Sequence, residues 1–288
     1  MLRKAVLPVA GFGTRFLPVT KAVPKEMLPI VDRPCIAYVV AEAVEAGLTD
    51  MVMVTARGKE AIEAYFDRAP VLEAALEAAG KRDLLAEVRA VARTANIIAV
   101  RQQEMLGLGH AVLTAAPVVG NQDFAVLLPD DIVDAEVPVT GQLARAHAEL
   151  GGGVVVALKD VPRADTRKYG ICAGPMITGD RMHVTSMVEK PAPDDAPSTL
   201  SIVGRYVLPG EIFEILRETR PGKGGEIQLT DALAVLAARG RAHGVVFTGE
   251  HFDTGNPVGL LAAQLHWSLK RPDTAEGTRA LLQKYAGR

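Results

Sequence analysis

Between Gly11 and Lys25 the chain places two glycines, Thr14, Arg15, Lys21 and Lys25 in one long loop, GFGTRFLPVTKAVPK, directly after an apolar run. Glycine at positions 11 and 13 removes Cβ atoms and permits positive φ, which lets backbone N–H groups approach an anion closely. Arg15 and Lys25 add fixed positive charge of the kind that holds a phosphate chain. No Gly-Lys-Ser/Thr follows, and Phe16 stands where a dinucleotide fingerprint places its third glycine. The loop therefore reads as a polyphosphate cradle, with an ordinary tight turn as the alternative.

Four other constellations carry possible chemistry. LLPDD, Leu127 to Asp131, ends an apolar run with a carboxylate suited to Mg²⁺, which takes few protein ligands beside substrate phosphates; a Pro-Asp-Asp surface turn is the alternative. Asp253 in HFDTGNP is a second candidate carboxylate, although the same residues also make a turn or a helix N-cap. In RQQEMLGLGHAVL, Gln102 and Gln103 each offer a base an amide donor and a carbonyl acceptor, and Gly107 and Gly109 can expose backbone to it. His110 has no serine, cysteine or carboxylate arranged around it and reads as a helix-start residue that packs or caps. In VEKP, Glu189 and Lys190 alternate across a strand, so they share a side only if the strand ends or bulges at Pro191. Such an end frees Glu189 for hydroxyls and Lys190 for a phosphate; an edge-strand charge pair is the alternative.

The elements that must position these residues are legible as alternating patterns. Continuous apolar runs at Ala5–Val9, Met51–Thr55, Ile97–Val100, Phe124–Leu128 and Val154–Leu158 predict buried strands. Between them, Pro34–Ala46, with Gly47 as its stop, and Glu60–Phe66, Leu72–Ala79, Arg82–Ala92, Ala111–Ala116 and Val139–Leu150 predict helices. This alternation predicts an α/β fold, a mostly parallel sheet with helices on both faces, whose ligands sit at the carboxyl ends of the strands. After Gly151, strands are expected at Tyr169–Ala173, His183–Glu189, Leu200–Val207 and His243–Phe247. Helices are expected at Gly210–Arg217, Glu226–Arg239, Val258–Lys270 and Ala275–Tyr285.

The chain has 288 residues, 49% hydrophobic and 23% charged, with a formal net charge of -2. That balance lacks the basic footprint of nucleic-acid binding. Cys35 and Cys172 are the only cysteines, too few for a disulfide framework or zinc site, and read as small core residues in a reducing cytoplasm. No apolar run reaches membrane-spanning length and no signal-peptide cleavage pattern is evident, so no membrane association is expected.

Taken in order, AGFGTRFLPVTKAVPKEMLPIVDRP, GLGHAVL, LLPDD, YG, VEKP, SIVGRYVL, GEIQLTDAL and DTGNP resemble the bacterial UTP:glucose-1-phosphate uridylyltransferases, or UDP-glucose pyrophosphorylases, from Leu2 to about Tyr285. The resemblance implies a Rossmann-like nucleotidyltransferase fold with a mixed, mostly parallel central sheet flanked by helices. One domain is expected over 1–288, its nucleotide-binding part up to about 150 and its sugar-phosphate-binding and oligomerisation part from about 151. The implied partners are UTP, glucose 1-phosphate, UDP-glucose and pyrophosphate, with Mg²⁺ as cofactor and a homodimer or homotetramer as assembly. Leu260, Leu261, Leu265, Trp267 and Leu269 are candidates for either core or subunit contact. By the same resemblance Ala10, Gly11, Gly13, Thr14 and Arg15 surround the nucleotide, Lys25 meets the leaving pyrophosphate, and Gln102 and Gly107 read uracil. Asp130 is the principal metal ligand and a nucleotide contact, with Asp253 as second metal carboxylate. Gly170, Glu189 and Val203 contact glucose, and Lys190 its phosphate; Arg15, Lys25 and Lys190 form the catalytic set.

The rival expectations are a dTTP-dependent glucose-1-phosphate thymidylyltransferase and a non-catalytic nucleotide-sugar-binding subunit. The helical insertion between about Tyr65 and Thr94 favours the uridylyl group over the first, and the complete set of Arg15, Lys25, Asp130 and Lys190 opposes the second. A dinucleotide dehydrogenase is disfavoured by Phe16 and by Thr55 and Ala56, where the second strand should end in an acid.

Overall fold

Strand β1 (Lys4–Pro8) leads into three single 3₁₀ turns, Thr14–Phe16, Val19–Lys21 and Lys25–Met27, and a hairpin of β2 (Pro29–Ile30) and β3 (Arg33–Pro34). These positions come from a computed structural model that describes residues 2–287. The first α-helix, α1 (Cys35–Glu45), starts only after this long loop and stops before Gly47, whose φ of 89° ends it. β4 (Asp50–Thr55), α2 (Glu60–Phe66), α3 (Pro70–Ala78), α4 (Arg82–Val91) and β5 (Asn96–Arg101) follow. Next come α5 (Leu108–Thr114), α6 (Ala116–Val119), β6 (Phe124–Leu127), β7 (Asp131–Asp134), α7 (Val139–Glu149) and β8 (Val154–Asp160).

The remaining chain supplies β9 (Gly170–Ala173), β10 (Arg181–His183), β11 (Ser186–Glu189), β12 (Leu200–Leu208), α8 (Ile212–Glu218) and α9 (Leu229–Ala238). It ends with β13 (Ala242–Val246), β14 (Glu250–Asp253), α10 (Pro257–Lys270) and α11 (Pro272–Tyr285). The main sheet is mixed and runs β10-β13-β8-β12-β6-β1-β4-β5, with β9 and β11 attached beside β12. β6, β1, β4 and β5 are mutually parallel, and β12 runs antiparallel between β8 and β6. From β1 the chain builds β4 and β5 on one side and later places β6 on the other. The carboxyl ends of β1 and β6 therefore flank a point where strand order reverses, which is where an open α/β sheet forms its ligand crevice.

One expectation needs correction. The single strand expected at His183–Glu189 is two: β10 pairs with β13, whereas β11 pairs with β9. The change of partner takes one residue, since Val184 N donates to Ala242 O and Thr185 N to Ala173 O, both at 2.9 Å. An antiparallel pair not read from the sequence, β7 with β14, sets Asp253 opposite Asp131.

The core lies on both faces of the sheet, one cluster under α5, α8 and α9 and another under α1 and α10. Leu260 and Trp267 pack on the second cluster, while Leu261 is exposed. Cys35 and Cys172 are free and buried, and burial pushes their thiols up to about 11 and about 12. Among the described residues no helix is long and apolar enough to cross a membrane.

Candidate active site

A cleft of about 760 Å³ opens over the carboxyl ends of β1 and β6 and the adjoining end of β12. Three chain segments converge at one end of it. Arg15 Nη1 lies 3.3 Å from Gly255 O, and Lys25 Nζ meets Asp130 Oδ2 at 2.5 Å. A Cβ on Gly255 would stand 2.7 Å from Asp130 Oδ2, 3.0 Å from Asp253 Oδ1 and 3.3 Å from Arg15 Nη1, so these side-chain ends would have to give way. Two carboxylates and a guanidinium from separate parts of the chain thus face one small space kept open by a glycine.

The electrostatics of this corner follow from burial and neighbours. Burial works against the Lys25 ammonium, but Asp130 and then Glu26 outweigh it, so its pKa is raised. Asp253 is also raised, first by burial and then by the carboxylates of Asp131 and Asp130. Asp131 is half-buried and desolvation alone would raise it, yet His251 Nε2, 2.6 Å from its Oδ1, brings it below the usual carboxylate range. All three carboxylates line the cleft, but Asp131 is engaged by His251, whereas Asp130 and Asp253 face each other at Gly255.

The glycine loop takes its shape from one glycine. Gly13 has φ 65°, and a Cβ there would lie 3.0 Å from Lys25 Cβ and 3.1 Å from Thr20 Cγ2, so its absence lets the loop fold back against Lys25. Gly11 has no positive φ and no atom within 4 Å of such a Cβ, so the conformational argument belongs to Gly13 alone. Ala10 is buried at the end of β1, and Thr14 and Arg15 are exposed on the first 3₁₀ turn. Phe16, half-buried, closes that turn through its N–H to Gly13 O at 3.0 Å.

The structure separates the two glutamines. Gln102 is buried and Gln103 exposed. Gln102 Nε2 lies 2.9 Å from His110 Nδ1 and 3.5 Å from Gly107 O, so His110 holds the Gln102 amide rather than serving a reactive triad. The expectation that Gln102 reads a base predicts that Gln102→Leu raises the KM for a nucleotide substrate by about 10- to 100-fold, the cost of leaving a base's polar edge unpaired, with little change for a sugar phosphate. Steady-state KM values for both substrates test this, and an equal rise in the two would overturn it.

On another wall of the cleft β11 does end at Glu189, and Lys190 takes a left-handed φ of 46°. That break puts both side chains on one side, with Lys190 Nζ 3.0 Å from Glu189 Oε1. Thr230 Oγ1 donates to Glu189 Oε2 at 2.7 Å, and Gly170, Gln228 and Thr230 line the same wall. Val203 is placed differently from its expected neighbours. Its side chain packs into a third apolar cluster on the opposite face, while Ile202 and Gly204 line the cleft, so only its backbone is available there.

A family profile described as Nucleotidyl transferase matches residues 4–268. A UTP--glucose-1-phosphate uridylyltransferase of Staphylococcus epidermidis (strain ATCC 35984) is 44% identical over 283 residues, 98% of each chain. A UTP-bound UGPase from Acinetobacter baumannii superposes with a TM-score of 0.90 at 43% identity, covering 99% of this chain and 100% of that one. The chain belongs to this uridylyltransferase family. A UDP-glucose pyrophosphorylase complexed with UDP-glucose is also similar, with a TM-score of 0.86 and 42% identity over 94% of this chain and 100% of the other.

Within this uridylyltransferase framework the sequence reading left several residues without a role. Glu42 and Arg205 form a buried ion pair beneath the 128–131 turn. Asn256 caps α10 by accepting from Gly259 N at 2.9 Å and lines the cleft beside Asp253. Ile227 exchanges backbone hydrogen bonds with the 106–109 turn, donating to Leu106 O and accepting from Gly109 N, each at 2.8 Å. The GEIQLTDAL stretch was visible as a motif, and that was the available signal for Ile227 and Thr230.

Proposed function

We propose that this chain transfers the uridylyl group of UTP to α-D-glucose 1-phosphate, giving UDP-glucose and pyrophosphate. The observation that carries the reading is the convergence of Arg15, Asp130 and Asp253 on Gly255, with a buried glutamine on the base side and the Glu189–Lys190 pair on the sugar side. The near full-length relatives named above act on, or are bound to, the corresponding nucleotides and sugars.

The proposed mechanism is a single in-line displacement. The attacking group is a sugar-phosphate oxygen already ionised at neutral pH, so no protein base is required. The difficulty is bringing two polyanions together. Two unit charges 4 Å apart repel by about 4 kcal/mol at an effective dielectric of about 20, roughly three factors of ten in rate. Lys190 orients and neutralises the attacking phosphate, Arg15 and the Gly11–Thr14 backbone hold the nucleotide phosphates, and Lys25 neutralises the departing pyrophosphate. Glu189 accepts glucose hydroxyls, its carboxylate oriented by Thr230.

The carboxylates around Gly255 suit Mg²⁺: Asp130 and Asp253 face one space there, and Mg²⁺ takes few protein ligands beside substrate phosphates. Mg²⁺ bound by this pair supplies positive charge where negative charge builds up. In this reading residues up to about 150 bind chiefly the nucleotide and the rest bind the sugar phosphate, with Asp253 the contribution of the second part to the phosphate site.

A pyrophosphate-release assay across four nucleoside triphosphates and several sugar phosphates tests the reading. UTP with glucose 1-phosphate is expected to give the highest kcat/KM. dTTP should follow within about two factors of ten, because a methyl group offers little for a pocket to reject. Release with none of the pairs, or with dTTP far above UTP, would overturn it.

A further inference from the structure

The turn that presents Asp130 is held from below by a fully buried arginine, and this arrangement has no counterpart in the substrate contacts. Arg205 lies on β12 between Gly204 and Tyr206, which line the cleft, but its own side chain is fully buried. Arg205 Nη1 donates to Leu128 O at 3.2 Å and to Gly204 O at 3.0 Å, and Nη2 donates to Asp131 O at 2.7 Å. Asp130 thus sits between two residues whose carbonyls are tied to one guanidinium. Its own carbonyl accepts from Thr254 N at 2.7 Å and Thr254 Oγ1 at 2.9 Å.

The guanidinium is itself held in orientation. Glu42 of α1 takes Nε at 3.0 Å on each carboxylate oxygen and Nη2 at 2.7 Å on Oε2. Thr140, at the start of α7, donates to Glu42 Oε1 through Oγ1 at 2.7 Å and through N at 3.1 Å. Two helices and a strand therefore fix the direction of a planar fork, and the fork fixes the turn. Stability does not explain this construction, because a buried ion pair commonly costs as much in desolvation as it returns and well-packed apolar residues do as well. Geometry does explain it. β6 ends at Leu127, and the carbonyls just beyond it need donors that place Asp130 toward Lys25 and Asp253.

We propose that Arg205, oriented by Glu42 and Thr140, is a positioning residue for the reaction: it sets the Asp130 carboxylate without touching either substrate. The proposal rests on the uridylyl-transfer reading for its kinetic consequence, though not for its structural one.

The test is the double variant Glu42→Leu/Arg205→Met, which removes both charges together and leaves neither buried alone. It is expected to fold with cooperative unfolding and to keep KM for UTP and glucose 1-phosphate within about threefold. Its kcat should fall about 100-fold, the scale of a displacement near 1 Å at a reacting centre. Hydrogen exchange gives a readout independent of activity: the Thr254 amide should exchange at least about tenfold faster, while amides of α9 keep their rates. A folded double variant with kcat and Thr254 exchange both within about threefold of the parent overturns the proposal, and so does a rate loss matched by an equal rise in KM. If the double variant does not fold, Thr140→Val decides. It leaves the ion pair in place and is expected to lower kcat about three- to tenfold at constant KM; an unchanged kcat overturns the proposal. A parent protein that makes no UDP-glucose defeats the functional reading, and the exchange measurement then judges the clamp by itself.

Discussion

Asp130→Asn is expected to lower kcat roughly 10³-fold while the protein stays folded, the scale seen when one preorganised electrostatic group is removed from a reacting centre. The substitution keeps size and shape but takes away the charge that pairs with Lys25 at 2.5 Å and faces Asp253 across Gly255. The side chain is only partly buried, whereas the carbonyls of the turn are what Arg205 and Thr254 hold, and those hydrogen bonds survive. The loss should therefore appear in turnover and in the dependence on Mg²⁺, with the thermal midpoint shifted by a few degrees at most. Turnover at saturating substrates across a Mg²⁺ series, beside a circular-dichroism melt, measures both. Near-normal turnover at low Mg²⁺ would remove Asp130 from the metal site.

Glu42→Gln is the change expected to cost the most stability, about 3–5 kcal/mol, because it leaves the Arg205 charge buried without its partner. The cost should depend on pH in a definite direction. Burial alone would raise the Glu42 carboxyl, but the Arg205 charge and hydrogen bonds outweigh it, so its folded pKa lies below the ordinary value of 4.5. A depressed carboxylate contributes its full stabilisation above the unfolded pKa and loses it as pH falls through the folded one. The stability gap between parent and variant should thus be complete at pH 7 and narrow below about pH 4.5. Urea unfolding at pH 7, 5 and 3.5 measures that gap, and a gap that widened toward acid would contradict the charge pairing.

Much of this architecture is local in origin and could be read before any coordinates. Runs such as Phe124–Leu127 and Val154–Leu158 are apolar without interruption because both sheet faces are covered, and the structure places strands there. The glycine loop, LLPDD, RQQ and VEKP all follow strands, and the structure gathers them at one end of the sheet. What escaped the sequence depends on partners far along the chain. Arg205 in IVGRY looks like one polar residue in an apolar strand, and only its contact with Glu42, 163 residues away, gives it a purpose. Asp253 and Asp131 meet through the antiparallel register of β7 and β14, and these strands of four residues each are too short to leave a periodic signal. Val203 falls on the far face because side chains alternate along β12, and a motif match does not carry the pleat.

Ile227 and Thr230 stand three positions apart, one bonded to the turn beside Gln102 and the other to Glu189. On the proposed reading, the two halves of the product are read by pockets that share a wall of a few residues. On that reading, retargeting this protein to another sugar by moving Thr230 would also disturb the turn beside Gln102, so altered sugar specificity has to be engineered in both pockets at once.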